Sequence, residues 1–153
     1  MTMTVQAEIV AALAGWPEVA SWEPMFPLLT VDDAGFPHVC LLSRAELQAD
    51  AQHVYAVLAS PTTVSNLRQR PAATLLVVLA DSACYLKVRP VHIGPSAPAE
   101  VVFEVITSAR DSLAIPLKAP QYLVARSLPA AEAWERSAEL LTGLVERYGT
   151  QAL

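Results

Sequence analysis

Apolar and polar positions alternate along most of this chain, and a helical period replaces the alternation in only three places. The first is 4–15, where Val5, Ile9, Ala12 and Leu13 share a face and Gly15 is placed to end the helix. The stretch with Trp16, Pro17, Trp22 and Pro24 then reads as an irregular connection. Strands are predicted over 26–31 and 37–43, joined by Asp32-Asp33-Ala34-Gly35, with Gly35 supplying a positive φ. A polar loop over 44–52 leads to a third strand at 53–59. A fourth, 73–80, is apolar on both parities, so both of its faces are expected to be buried. After a turn at Asp81-Ser82, the fifth strand covers 84–93. There Leu86 and Val88 share one face while Tyr85, Lys87 and Arg89 share the other. Beyond Pro90 the apolar parity moves to Val91 and Ile93, which predicts a β-bulge or bend. A Pro-rich turn at 94–99 precedes a sixth strand at 101–108. A seventh is possible at 121–126, past a loop at 111–120. The last element is a helix over 129–148, with Trp134, Ala138, Leu141, Val145 and Tyr148 on one face.

Between the third and fourth strands the punctuation is different. Ser60 is a good N-cap, Pro61 suits the first helical position, and Pro71 stops a regular helix. A short helix therefore sits between two strands. Its N-terminus carries free N–H groups and the hydroxyls of Ser60, Thr62 and Thr63, a candidate anion site. The same three residues are equally ordinary as caps. Six or seven antiparallel strands with few helices predict a mainly β chain, a single domain over 1–153 built as a closed or nearly closed barrel.

Composition sharpens this picture. Hydrophobic residues make up 54% of the chain and charged residues 16%, more apolar material than one small core needs. A partner packed on the barrel wall is expected, as in a homodimer. The net charge of −5 argues against nucleic acid, which selects a basic stripe. No stretch approaches the roughly 20 apolar residues of a membrane span. The first 15 residues lack the basic start of a secretory leader, so a cytoplasmic location is expected. Cys40 and Cys84 read as free thiols in strands, and His38, His53 and His92 lack metal-ligand spacing. Asn66 is expected to bond the preceding turn, while Arg68, Arg70 and His38 are expected to be solvated. Trp134 and Tyr148 read as core or dimer contacts. No catalytic triad or spaced carboxylate pair is visible, and no catalytic residue is assigned.

The order of elements, the Asp-Asp-Ala-Gly turn, the strand opening Phe-Pro-His-Val, and Asn66-Leu67-Arg68-Gln69-Arg70-Pro71 running into Ala-Thr-Leu-Leu-Val-Val carry a resemblance. Over about 27–93 the chain resembles the pyridoxamine 5′-phosphate oxidase-like family of FMN-binding split β-barrels. That resemblance implies a homodimer with two flavin sites at its interface and redox chemistry carried by FMN. The isoalloxazine ring would lie along Val39, Cys40, Leu41, Leu42 and Ser43, the ribityl chain near 58–60, and the phosphate near Ser60, Thr62 and Thr63. Family oxidases carry an Arg-Lys pair where this chain has Thr62 and Thr63. A helix N-terminus supplies about half a unit charge against roughly −1.5 to −2 on the phosphate. Lys87, Arg89 or Arg44 are the cations that could make up the difference. Pro90 stands where the family often has glycine, and the residues that read a pyridoxal-type substrate are not recognisable. Two alternatives remain open: a non-enzymatic binding protein of the same fold that has lost FMN, or a deazaflavin or haem in the same groove.

Overall fold

The computed structural model describes residues 4–14, 19–112 and 114–149. Its centre is one antiparallel sheet of seven strands: β2 (Phe26–Val31), β3 (Pro37–Leu42), β4 (Leu47–Ala49), β5 (His53–Leu58), β6 (Ala73–Val78), β7 (Ala83–Ile93) and β8 (Ala99–Asp111). Their order across the sheet is β3-β2-β6-β7-β8-β5-β4. The sheet curls round its apolar face without β3 and β4 pairing, which leaves a split barrel. A separate ribbon pairs β1 (Trp22–Pro24) with β9 (Gln121–Leu123).

The alternation seen in the sequence sets which side chains fill the barrel. Phe26 and Leu28 of β2, Leu75 and Val77 of β6, and Cys84, Leu86 and Val88 of β7 are buried inside. Val54, Ala56 and Leu58 of β5 and Val101, Phe103 and Val105 of β8 close the same core. Helix α1 (Ala7–Leu13) plugs it with Ile9 and Leu13, and α2 (Pro61–Gln69) adds Leu67. Register shifts in the β7–β8 pairing fall at Lys87/Val88 and Pro90/His92. The irregularity expected at Pro90 is therefore present, with a second one preceding it.

The outer face of the sheet is treated unequally. Over β5 and β8 it is covered by α4 (Trp134–Tyr148), whose Leu141 and Leu144 bury Tyr55, Val57 and Val102. Over β3, β2, β6 and β7 no described element covers it. Thr74, Leu76 and Val78 of β6 are only half-buried, where the sequence led us to expect burial on both faces.

Several boundaries differ from the sequence reading. The connection before β2 and the loop at 44–52 contain strands β1 and β4, each three residues long. Such strands are too short to show alternation. Strand β8 runs through Asp111 into the expected loop, and β9 ends at Leu123. The C-terminal helix is two helices, α3 (Leu128–Ala131) and α4, with Ala133 between them at φ 51°. The buried face of α4 is Trp134, Ser137, Leu141 and Leu144, which leaves Ala138, Val145 and Tyr148 at its margin. The expected stop of α1 at Gly15 lies outside the described residues, as do Trp16 and Pro17.

Candidate functional site

The start of α2 forms as its punctuation requires. Ser60 caps it, accepting from the Thr63 amide at 3.2 Å and the Thr63 hydroxyl at 3.0 Å. Pro61 takes the first position and the helix ends at Gln69, before Pro71. Asn66 donates to the Thr30 hydroxyl at 3.0 Å and ties the helix to β2, a structural bond as expected. Arg68 and Arg70 are tethers rather than free cations. Arg68 donates to the Gly94 carbonyl, and Arg70 to the Val31 carbonyl and the Asp33 carboxylate.

The three hydroxyls at this helix start face different surroundings. Thr63 is fully buried and turned to β3, on the side of Cys40. Burial pushes the Cys40 thiol up and the neighbouring Thr63 hydroxyl only partly offsets this, so the thiol is a poor nucleophile at neutral pH. Ser60 is committed to its cap, which leaves Thr62 open to solvent. The cleft beside Thr62, about 490 Å³, is also bordered by Ser65, Asn66, Asp32 and Asp33. Asp32 accepts from the amides of Ala34 and Phe36 to hold the turn. The Asp32 carboxylate on this cleft opposes an anion within it, while the Asp33 charge is met by Arg70.

Cations with open surroundings lie elsewhere. Lys87 and Arg89 project from the outer face of β7 and line a cleft of about 390 Å³ with Leu29, Val31, Pro37, Thr74 and Ile106. Among the described residues neither is in an ion pair. Next to them the bare sheet face is apolar. Val39 is 51% exposed, Leu41 55% and Tyr85 36%. Val39 stands opposite Leu29, Leu29 opposite Thr74, and Thr74 opposite Lys87, so one continuous row crosses four strands. This face offers an apolar surface with two positive charges beside it.

The sequence-predicted residues thus fall into groups. Val39, Leu41, Lys87 and Arg89 share the open face, with Thr74 completing it. Cys40 and Thr63 meet behind β3, on the inner side. Ser60 and Thr62 border the helix start. Arg44 faces none of these: it pairs with Glu23 at 2.6 and 3.0 Å and donates to the Ala14 carbonyl. Ser43 is buried and forms a capping box with Glu46. What the sequence reading missed is the pocket at that end of β3, where Glu46 meets Tyr122 and Trp134 from the C-terminal segment. The Ser43-to-Glu46 spacing was the available signal.

No family model and no curated protein matches the chain. Solved structures do. HupZ from Group A Streptococcus superposes with a TM-score of 0.57 at 10% identity, over 74% of this chain and 99% of that one. An FMN-binding protein from Syntrophomonas wolfei subsp. wolfei superposes with a TM-score of 0.51 at 14% identity, over 69% of this chain and 88% of that one. The fold is that of the FMN-binding split β-barrels.

Proposed function

We propose that this chain is a flavin-binding split-barrel protein of the oxidoreductase type that works as a homodimer, with FMN as the flavin. The observation that carries the reading is the open sheet face: the row Val39, Leu29 and Thr74 across β3, β2 and β6 leads to Lys87, with Arg89 next on the same face of β7 and opposite Glu104 of β8, and neither cation is in an ion pair among the described residues. The likeness of fold to an FMN-binding protein supports it.

When bound, the flavin would supply the electron-accepting and electron-donating chemistry. The protein's part is to bind and to exclude water. Val39 and Leu41 give the ring an apolar surface, and Lys87 and Arg89 balance the charge of a phosphate. No side chain on this face would need to act as a strong acid or base. Within one chain the start of α2 lies in a different cleft from Lys87 and Arg89. A second copy laid on the bare face would shield the ring from solvent.

The test is the absorption spectrum of purified protein followed by titration with FMN, read by quenching of flavin fluorescence. Saturable quenching is expected in the micromolar range, weakened at least tenfold in the double variant Lys87→Glu, Arg89→Glu. A colourless protein that leaves FMN fluorescence unchanged at high micromolar flavin would overturn the reading. Quenching that the double variant leaves unchanged would move the phosphate to the start of α2.

A further inference from the structure

Where α2 meets the Pro-rich turn between β7 and β8, the chain builds a cavity of about 340 Å³. It shares no lining residue with the Lys87–Arg89 cleft, and none of Val39, Leu41 and Tyr85 borders it. We propose that this cavity binds a small organic monocarboxylate with an apolar body, of about the size of benzoate, independently of any flavin.

The walls are the first ground. The floor is Leu58 of β5 and Ala99 of β8, which stand opposite one another in the strand pairing and are both buried. On one side are Pro61, Val64, Ser65 and Arg68 of α2. Their spacing makes them one flank of the helix, while Thr63, Asn66 and Leu67 turn to the interior. On the other side is the turn, with Pro95, Ser96 and Ala97. Most of this lining is apolar side chain, and its two prolines offer no backbone N–H. Such a surface takes an apolar body. The volume lies within the roughly 300–1,000 Å³ of small-molecule sites.

Charge is the second ground, and it decides the head group. Arg68 is the charged residue of the lining, it is exposed, and it is in no ion pair among the described residues. Its Nη2 donates to the Gly94 carbonyl at 2.8 Å. That bond fixes the guanidinium beside the turn and uses one of its five N–H donors. No carboxylate lines the cavity among the described residues. Glu100, next in the chain to Ala99, is paired with Arg147 at 3.1 Å. The cleft on the other flank of α2 carries Asp32 and Asp33, so an anion is directed to this flank.

One held guanidinium beside an apolar wall matches a carboxylate, which it can grip with two parallel bonds. A phosphate, at roughly −1.5 to −2, would find a single cation here. The hydroxyls of Ser65 and Ser96 border the same space.

The experiment is calorimetric titration of the whole protein with sodium benzoate at neutral pH and constant ionic strength. Benzyl alcohol serves as the neutral probe of matching shape and inorganic phosphate as the anion without an apolar body. Saturable binding with a Kd of roughly 1 mM or tighter is expected for benzoate alone. Arg68→Gln should raise that Kd at least about tenfold, and Arg68→Lys, which keeps the charge without the fork, several-fold. Ala59→Phe sets a ring into the cavity from an exposed position. It leaves the Arg68 tether alone and should abolish binding, with thermal melts showing that the fold persists. No saturable binding up to about 50 mM benzoate, or equal binding of benzyl alcohol or phosphate, would overturn the proposal. So would an affinity that Arg68→Gln and Ala59→Phe both leave unchanged. Added FMN should leave the benzoate Kd unchanged, and competition between the two would overturn the proposal by making this cavity part of the flavin site. Quenching of FMN fluorescence does not depend on these outcomes, so failure here and failure of the flavin reading are separable.

Discussion

Asp50 shows how much one side chain can organise in this fold. Its carboxylate accepts from the amides of Gln52 and His53 and from the Tyr55 hydroxyl, closing the turn between β4 and β5. Partial burial raises its pKa, but these bonds together outweigh that and hold it below the ordinary aspartate range. The folded state therefore releases the Asp50 proton more readily than the unfolded chain. Between the two pKa values the unfolded chain binds more protons, so stability rises with pH there. The contribution is complete above about pH 4, the unfolded value, and is lost as pH falls through the lower folded value. Tyr55→Phe is expected to cost about 1.5–3 kcal/mol at pH 7, the range for a hydrogen bond to a charged group. The penalty should shrink as Asp50 is protonated. Urea melts of both proteins at pH 7 and pH 3 check this. A penalty that stays constant across that range would mean that packing around the ring, not the bond to Asp50, carries the effect.

Elements with a clear period were readable from the residues alone; those set by contacts were not. The Ser60 cap, Pro61 and Pro71 mark α2 by local chemistry, and Gly35, at φ 88°, takes the left-handed turn position that the Asp-Asp-Ala-Gly motif calls for. β1 and β4 escaped because three residues hold no pattern, and each exists through its partner, β9 or β5. The break between α3 and α4 escaped for a different reason. Ala133 adopts φ 51°, ψ 46°, a conformation its propensity resists, because the packing of Trp134 and Leu141 fixes where α4 must start. The left-handed region costs a non-glycine residue about 1–2 kcal/mol, and glycine's greater unfolded freedom returns roughly 0.5–1. Ala133→Gly should therefore stabilise the protein by about 0.5–1 kcal/mol. The gain would show as a higher midpoint in denaturant with an unchanged slope. A loss of stability would mean that the residue's methyl group packs against something that matters more than its backbone.

At the scale of the whole molecule, the unequal covering of one curled sheet decides most of the chemistry. Helix α4 seals the outer face of β5 and β8, so the long apolar run of β5 is buried on both sides within one chain. Across β3, β2, β6 and β7 the same kind of surface has no cover among the described residues, and Val39, Leu41 and Tyr85 stay open beside Lys87 and Arg89. The candidate site was half readable for this reason: the residues of the face alternate visibly in the sequence, but which face lacks a helix is a tertiary fact. A stable pair buries about 1,200–2,000 Å² in total, and an apolar face spanning four strands is the surface on this chain suited to that. Pairing on this face would bury Leu41, 55% exposed in the single chain, where a charge cannot reach water. Leu41→Glu is thus expected to turn a dimer of the 16.4 kDa chain into a folded monomer, since the side chain is already exposed in the single chain and the barrel core is untouched. Light scattering with size-exclusion reads the mass, and circular dichroism confirms that the fold persists. FMN affinity should fall along with dimerisation, because the ring loses its second wall. A wild-type protein that is monomeric at high micromolar concentration would contradict the pairing. A variant that stays dimeric would place the interface elsewhere, and the open row from Val39 to Lys87 would then be a ligand surface of the single chain.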